Sequence, residues 1–207
     1  MRETGQKVEK TRTFVIIKMM QKAARPPIYS DIESPIELSS GETCAMATKE
    51  EILAAYEEAA KQEEQLAYTA FSKQDALTLG LRLVKQARAR QADLAIEICV
   101  NGVVWFSALV GNANRNNQRW IGRKRRTVEM MEMSSYRYGL YLQLRGQTIA
   151  DQGLDPNAMT DKGGGFPIRV EGTGVIGTVC VSGLPSVEDH GLICEALKNV
   201  LRVEEEA

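Results

Sequence analysis

The chain has 207 residues, 43% apolar and 26% charged, with a formal net charge of −1. Those proportions suit one ordinary domain with some extra chain, exclude a fibre or a wholly disordered polymer, and give no overall pull towards nucleic acid or an anionic membrane. No apolar run approaches the ~20 residues that cross a bilayer, and four cysteines without a C-x-x-C pair, beside a single histidine, make no zinc-finger pattern.

Residues 1–45 read as a disordered or extended N-terminal arm. The apolar run TFVIIKMM is short and interrupted by Lys18, unlike a secretory core, and Glu3 and Glu9 argue against an organelle presequence. Pro26, Pro27 and Pro35 among clustered serines then read as linker. Without a secretory core the thiols read as reduced and the chain as cytoplasmic.

The folded domain is expected over 46–207. Thr48 with Glu51 forms a capping box ahead of EILAAYEEAAKQEEQLA, which predicts a helix. LAYTAF (Leu66 to Phe71) has the composition of a short strand. Ser72 with Asp75 caps a second helix, DALTLGLRLVKQARAR, whose leucines recur at three- to four-residue spacing. Two apolar runs, DLAIEICV and VVWFSALV, meet at Asn101-Gly102, the dipeptide that favours a type I′ hairpin turn. A helix from about Asn117 and a second capped by Ser134 or Ser135 follow. A loop from Ala150 to Gly165 leads into a hairpin of FPIRV and VIGTVCV, turning at Glu171 to Gly174. Ser186 with Asp189 forms a third capping box before the closing helix. The order α-β-α-β-β-α-α-β-β-α predicts an α/β (α+β) fold: a three-layer α/β/α sandwich on a five-stranded antiparallel sheet.

GTGVIG (Gly172 to Gly177) matches G-x-G-x-x-G in spelling only. A dinucleotide loop runs from strand to turn to helix, whereas these glycines run into the β-branched VIGTVCV. GGGFP is not followed by the Gly-Lys-Ser/Thr of a phosphate loop either.

GGGFPI, VIGTVCVSGLPSVEDH and RWIGRKRRTVEMMEMSS resemble the haem-degrading-domain-like family, relatives of the glycolate-utilisation G-like and haem-binding proteins. The likeness runs from about Leu66 to Val203. It implies a profilin-like form of the sandwich, a cytoplasmic homo-oligomer, and haem or another tetrapyrrole as a possible ligand.

The residues themselves nominate one site. Lys124 falls on the apolar face of its helix, so it must snorkel or find a partner. With Arg123 and the amides of Gly163, Gly164 and Gly165 beside Phe166, it would form a pocket for an anionic small molecule. His190 with Asp189 is the candidate for proton transfer, and His190 is the one histidine available to a metal; no other metal ligand set is expected. Nucleic acid is disfavoured by the EMME that follows the basic run. No G-x-S-x-G elbow or second histidine supplies a nucleophile-base set. The expectation is a small-molecule-binding oligomer. Its alternatives are an adaptor that binds other proteins and an enzyme of small-molecule breakdown using His190 and Asp189.

Overall fold

The computed structural model describes residues 47–205; the arm expected over 1–45 lies outside them. The described elements run α1 (Lys49–Gln65), α2 (Lys73–Ala89), β1 (Leu94–Val100), β2 (Val103–Val110), α3 (Arg115–Met131), α4 (Ser135–Arg145), a 3₁₀ turn (Ala150–Gln152), β3 (Gly165–Val170), β4 (Gly174–Ser182) and α5 (Ser186–Glu205).

Local chemistry sets most of these boundaries. Thr48 and Glu51 close their capping box with hydrogen bonds of 2.9 and 3.2 Å, and Ser72 and Asp75 form the second. Each satisfies helix amides that would otherwise lack partners. The third helix starts two residues before Asn117. Asn114 is the cap, with its side chain accepting from the Asn116 amide at 2.9 Å, while Asn117 reaches back to the Asn114 amide at 3.0 Å. Asn117 belongs to the cap motif, which is why the helix begins ahead of it. The expected Ser186–Asp189 box does not form. The Ser186 hydroxyl accepts instead from the Gly163 amide, and Asp189 turns to Lys124 and to the Leu184 amide.

The sheet has four antiparallel strands in the order β2-β1-β4-β3, one fewer than expected. Leu66 to Phe71 contributes a single bridge, Tyr68 to Val170. The Tyr68 amide donates to Arg169 and its carbonyl accepts from Glu171, both at 2.9 Å. Ser72 then caps α2 four residues later, which leaves no room for a longer ladder.

Alternate residues of β1 serve opposite faces. Leu94, Ile96, Ile98 and Val100 join the main core with Leu79 and Leu83 of α2 and Leu192, Ile193 and Ala196 of α5. Ala95 packs with Ile121 of α3 and Cys180 of β4, and Glu97 pairs with Arg125 of α3 at 2.9 Å. Helices therefore lie against both sides of the sheet, as a strand that is apolar on both faces requires. Gly80 lets α2 approach: a Cβ there would come within 2.5 Å of the Phe106 ring on β2.

Asn101 and Gly102 have φ of 48° and 78°, the two positive values of a type I′ turn. A Cβ on Gly102 would meet nothing within 4 Å. Gly102→Ala should accordingly cost about 1 kcal/mol through backbone strain alone, read as a lowered urea midpoint with an unchanged circular dichroism spectrum.

Candidate functional site

Lys124 stands on the inner face of α3 and is buried. Its Nζ donates to Asp189 Oδ2 at 2.6 Å and to the Val181 carbonyl at 2.8 Å. The other Asp189 oxygen accepts from the Leu184 amide at 3.1 Å. One buried ion pair thus joins α3, the end of β4 and the first turn of α5. Burial raises the Asp189 carboxyl to about 6, against the opposite pull of Lys124 and of the Leu184 and Gly183 amides.

The glycine run closes over this pair. Gly164 has φ +105°, and a Cβ there would come within 2.6 Å of Lys124 Nζ and 2.7 Å of both Asp189 Cβ and the Val181 carbonyl. Lys124 therefore does reach the glycine run, already paired with Asp189. The amides beside it are engaged as well: Gly163 donates to Ser186 Oγ at 2.6 Å and Gly165 to Ser135 Oγ at 2.9 Å. Arg123 turns the other way. It donates to the carbonyls of Pro156 at 2.7 Å and Met159 at 2.9 Å, and stacks over Trp120 at 4.3 Å. Its work is to hold the loop after α4, not to join the glycines.

His190 follows Asp189 but faces a different neighbour. It is buried, with Nε2 at 2.9 Å from Gln62 Oε1 of α1 and 3.5 Å from Cys194 Sγ. The Tyr136 ring lies 4.7 Å away and Phe166, directly after the glycines, 5.7 Å. With the Gln62 carbonyl as acceptor, Nε2 carries the proton and Nδ1 is left as a buried lone pair without a hydrogen-bond partner. Burial lowers the imidazole to about 4 and raises the Cys194 thiol to about 12. The two are neutral at physiological pH, so they do not form a thiolate–imidazolium nucleophile. No hydrogen bond joins His190 to Asp189, whose carboxylate is turned to Lys124.

The cover over His190 is α1, held largely by polar contacts. Only Ala59 and Glu63 of this helix are buried. Glu63 accepts from the Ser134 amide at 2.8 Å and from Arg137 at 3.0 Å, and Tyr56 accepts from Arg137 at 3.2 Å. Gln62 and Tyr136 escaped the sequence reading, and Ser135 and Ser186 were read as helix caps only. Ser186 and Cys194 lie one turn to either side of His190 on α5, and Cys194 was legible as sharing its face; Gln62, Tyr136 and Ser135 come from other elements, and no spacing links them to position 190. Among the described residues no group of three His, Cys, Asp or Glu is placed to hold a metal ion.

The haem-degrading protein HbpS-like family model matches residues 71–198. The chain belongs to this family. A UPF0303 protein of Streptomyces coelicolor is 43% identical over 142 residues, covering 68% of this chain and 90% of the relative. A UPF0303 protein of Azotobacter vinelandii is 45% identical over 153 residues, covering 72% and 92%. Among solved structures, the Ybr137w protein aligns with a TM-score of 0.67 at 24% identity over 73% of this chain and 94% of that one. The PduOC:heme complex aligns at 0.54 and 20% identity over 62% and 94%. The two structural likenesses bear on fold.

For the buried pair, Lys124→Met should cost about 3–5 kcal/mol, because it strands a carboxylate in the interior. Lys124→Met with Asp189→Asn should recover at least half of that loss in urea denaturation. A single-variant loss below about 1 kcal/mol would contradict the pair's structural role.

Proposed function

We propose that this HbpS-like protein is a cytoplasmic homo-oligomer of profilin-like, three-layer form that binds haem or a related anionic tetrapyrrole beneath α1. The observation that carries the reading is the surroundings of His190. An imidazole kept neutral by burial, walled by Tyr136 and Phe166, lies next to the glycine run in a chain of a haem-degrading family.

The residues fit the group in donor chemistry. Haem iron takes a neutral imidazole nitrogen as axial ligand, and Nε2 of His190 would meet that need once Gln62 withdraws and the ring proton moves to Nδ1. The haem would supply the iron and its redox chemistry. Everything else falls to the chain. Phe166 and Tyr136 offer ring faces, and Gly163, Gly164 and Gly165 keep side chains away from the approach. Lys124 and Asp189 act as positioning residues, because their pairing sets the first turn of α5 and so the direction of His190. Arg123 steadies the neighbouring loop. A neutral thiol and a committed Asp189 favour binding over turnover by these groups.

A haemin titration followed by absorbance tests this. The wild type should give a saturable Soret shift, His190→Ala should weaken affinity by about tenfold or more, and Gln62→Ala, which frees Nε2, should tighten it. No saturable shift, or equal affinity in the wild type and His190→Ala, overturns ligation by His190.

A further inference from the structure

The two edges of the sheet are treated differently. The β3 edge is bridged by Tyr68 through main-chain hydrogen bonds at 2.9 Å to Arg169 and from Glu171. Among the described residues β2 pairs with β1 alone, so its outer row of amides and carbonyls faces outward. An open edge of this kind is commonly guarded by charge, proline or a short strand. VVWFSALV is eight residues long with no charged residue and no proline.

Apolar exposure gathers along the same edge. Val103 is 59% exposed, Leu109 48% and Val104 45%, and Leu81 (55%) and Leu77 (44%) stand on α2, which packs over β2. Helical spacing puts Leu77, Leu81, Val84 and Arg88 on one flank of α2. Near the end of β2 that flank borders a shallow groove of about 460 Å³ lined by Val84, Ala87, Arg88, Leu109 and Val110. At the strand's start Val103 projects beside the hairpin turn. It pairs with Val100, a residue of the α2-side core, so it lies on the groove's own side of the sheet.

A knob at one end of a strand and a groove at the other are complementary under a two-fold axis. We propose that a second copy of this chain docks on the β2 edge in antiparallel register, seating Val103 of each copy in the Val84–Ala87–Val110 groove of the other. The partner strand supplies the main-chain hydrogen bonds that β2 lacks, and the α2 flanks of the two copies come together over the joined sheet. Along the strands an isologous contact of this kind meets itself without like-charge repulsion, because the strand carries no charge, and the two charged residues at the groove, Arg88 and Asp93, are of opposite sign. Val103, Leu77 and Leu81 on the α2 side, Val104 and Leu109 on the opposite face, and an eight-residue strand from each copy amount to roughly 1,000 Å² in total, the lower bound for a specific interface. The inference deepens the homo-oligomer part of the proposed function and is independent of the ligand.

Light scattering on the size-separated full-length protein tests it. The wild type should run as an oligomer, and Val103→Glu with Leu81→Glu should reduce the particle mass twofold or more. Val103→Lys, of opposite charge, should do the same. Met130→Glu, at a residue 58% exposed on α3, should leave the mass unchanged. Circular dichroism that matches the wild type in at least one of the dissociating variants ties the effect to the interface. A monomeric wild type overturns both the oligomer and this surface. An oligomer whose mass survives both Val103→Lys and the double glutamate variant overturns the surface and leaves the oligomer standing.

Discussion

The buried contact between Lys124 and Asp189 organises the molecule around it. A lysine inside a protein is costly unless its charge is answered and its protons are placed. Here one proton goes to a carboxylate at 2.6 Å and another to the Val181 carbonyl at 2.8 Å. That requirement explains Gly164, since any side chain there would intrude on the pair. It also explains why the first turn of α5 lacks the capping box its residues spell: Asp189 is already spoken for. With Asp189 turned towards α3, the next residue of the helix faces away from it, and His190 is delivered under α1.

The result is two adjacent titratable groups with opposite circumstances. Asp189 sits among donors, which oppose the upward pull of burial on its carboxyl. His190 sits among rings and a thiol, with Gln62 as its polar neighbour, and stays neutral. A sheet flanked on both faces makes this possible. β4 carries Val181 to the pair, while β3 starts at the glycine run and places Phe166 beside the imidazole. The cover over that imidazole is α1, whose contacts with the rest of the domain include the polar ones of Gln62, Glu63 and Tyr56.

Much of this was legible in the residues. Capping boxes at Thr48 and Ser72, the Asn101-Gly102 turn and the β-branched run after Gly174 are local signals, and each marks an element that is present. Lys124 stood out because a lysine on an apolar helix face demands a partner. What stayed hidden was long-range. Nothing in the neighbourhood of Gln62 announces a contact with His190, 128 positions away. Leu66 to Phe71 reads as a strand by composition, yet a cap at Ser72 limits it to one bridge. Ser186 and Asp189 have capping-box spacing, but tertiary partners outbid the local motif. Arg123 and Lys124 are neighbours in sequence and part company in space, because consecutive helix positions point about 100° apart.

The chain has one histidine, so a single imidazole resonance reports on the whole arrangement. Proton NMR of that ring across pH is the most direct measurement. If the ion pair seats His190 in a dry site under α1, the ring should stay neutral through pH 6 and take up its proton only near pH 4. A midpoint close to 6.5, the value of an imidazole in water, would contradict the account.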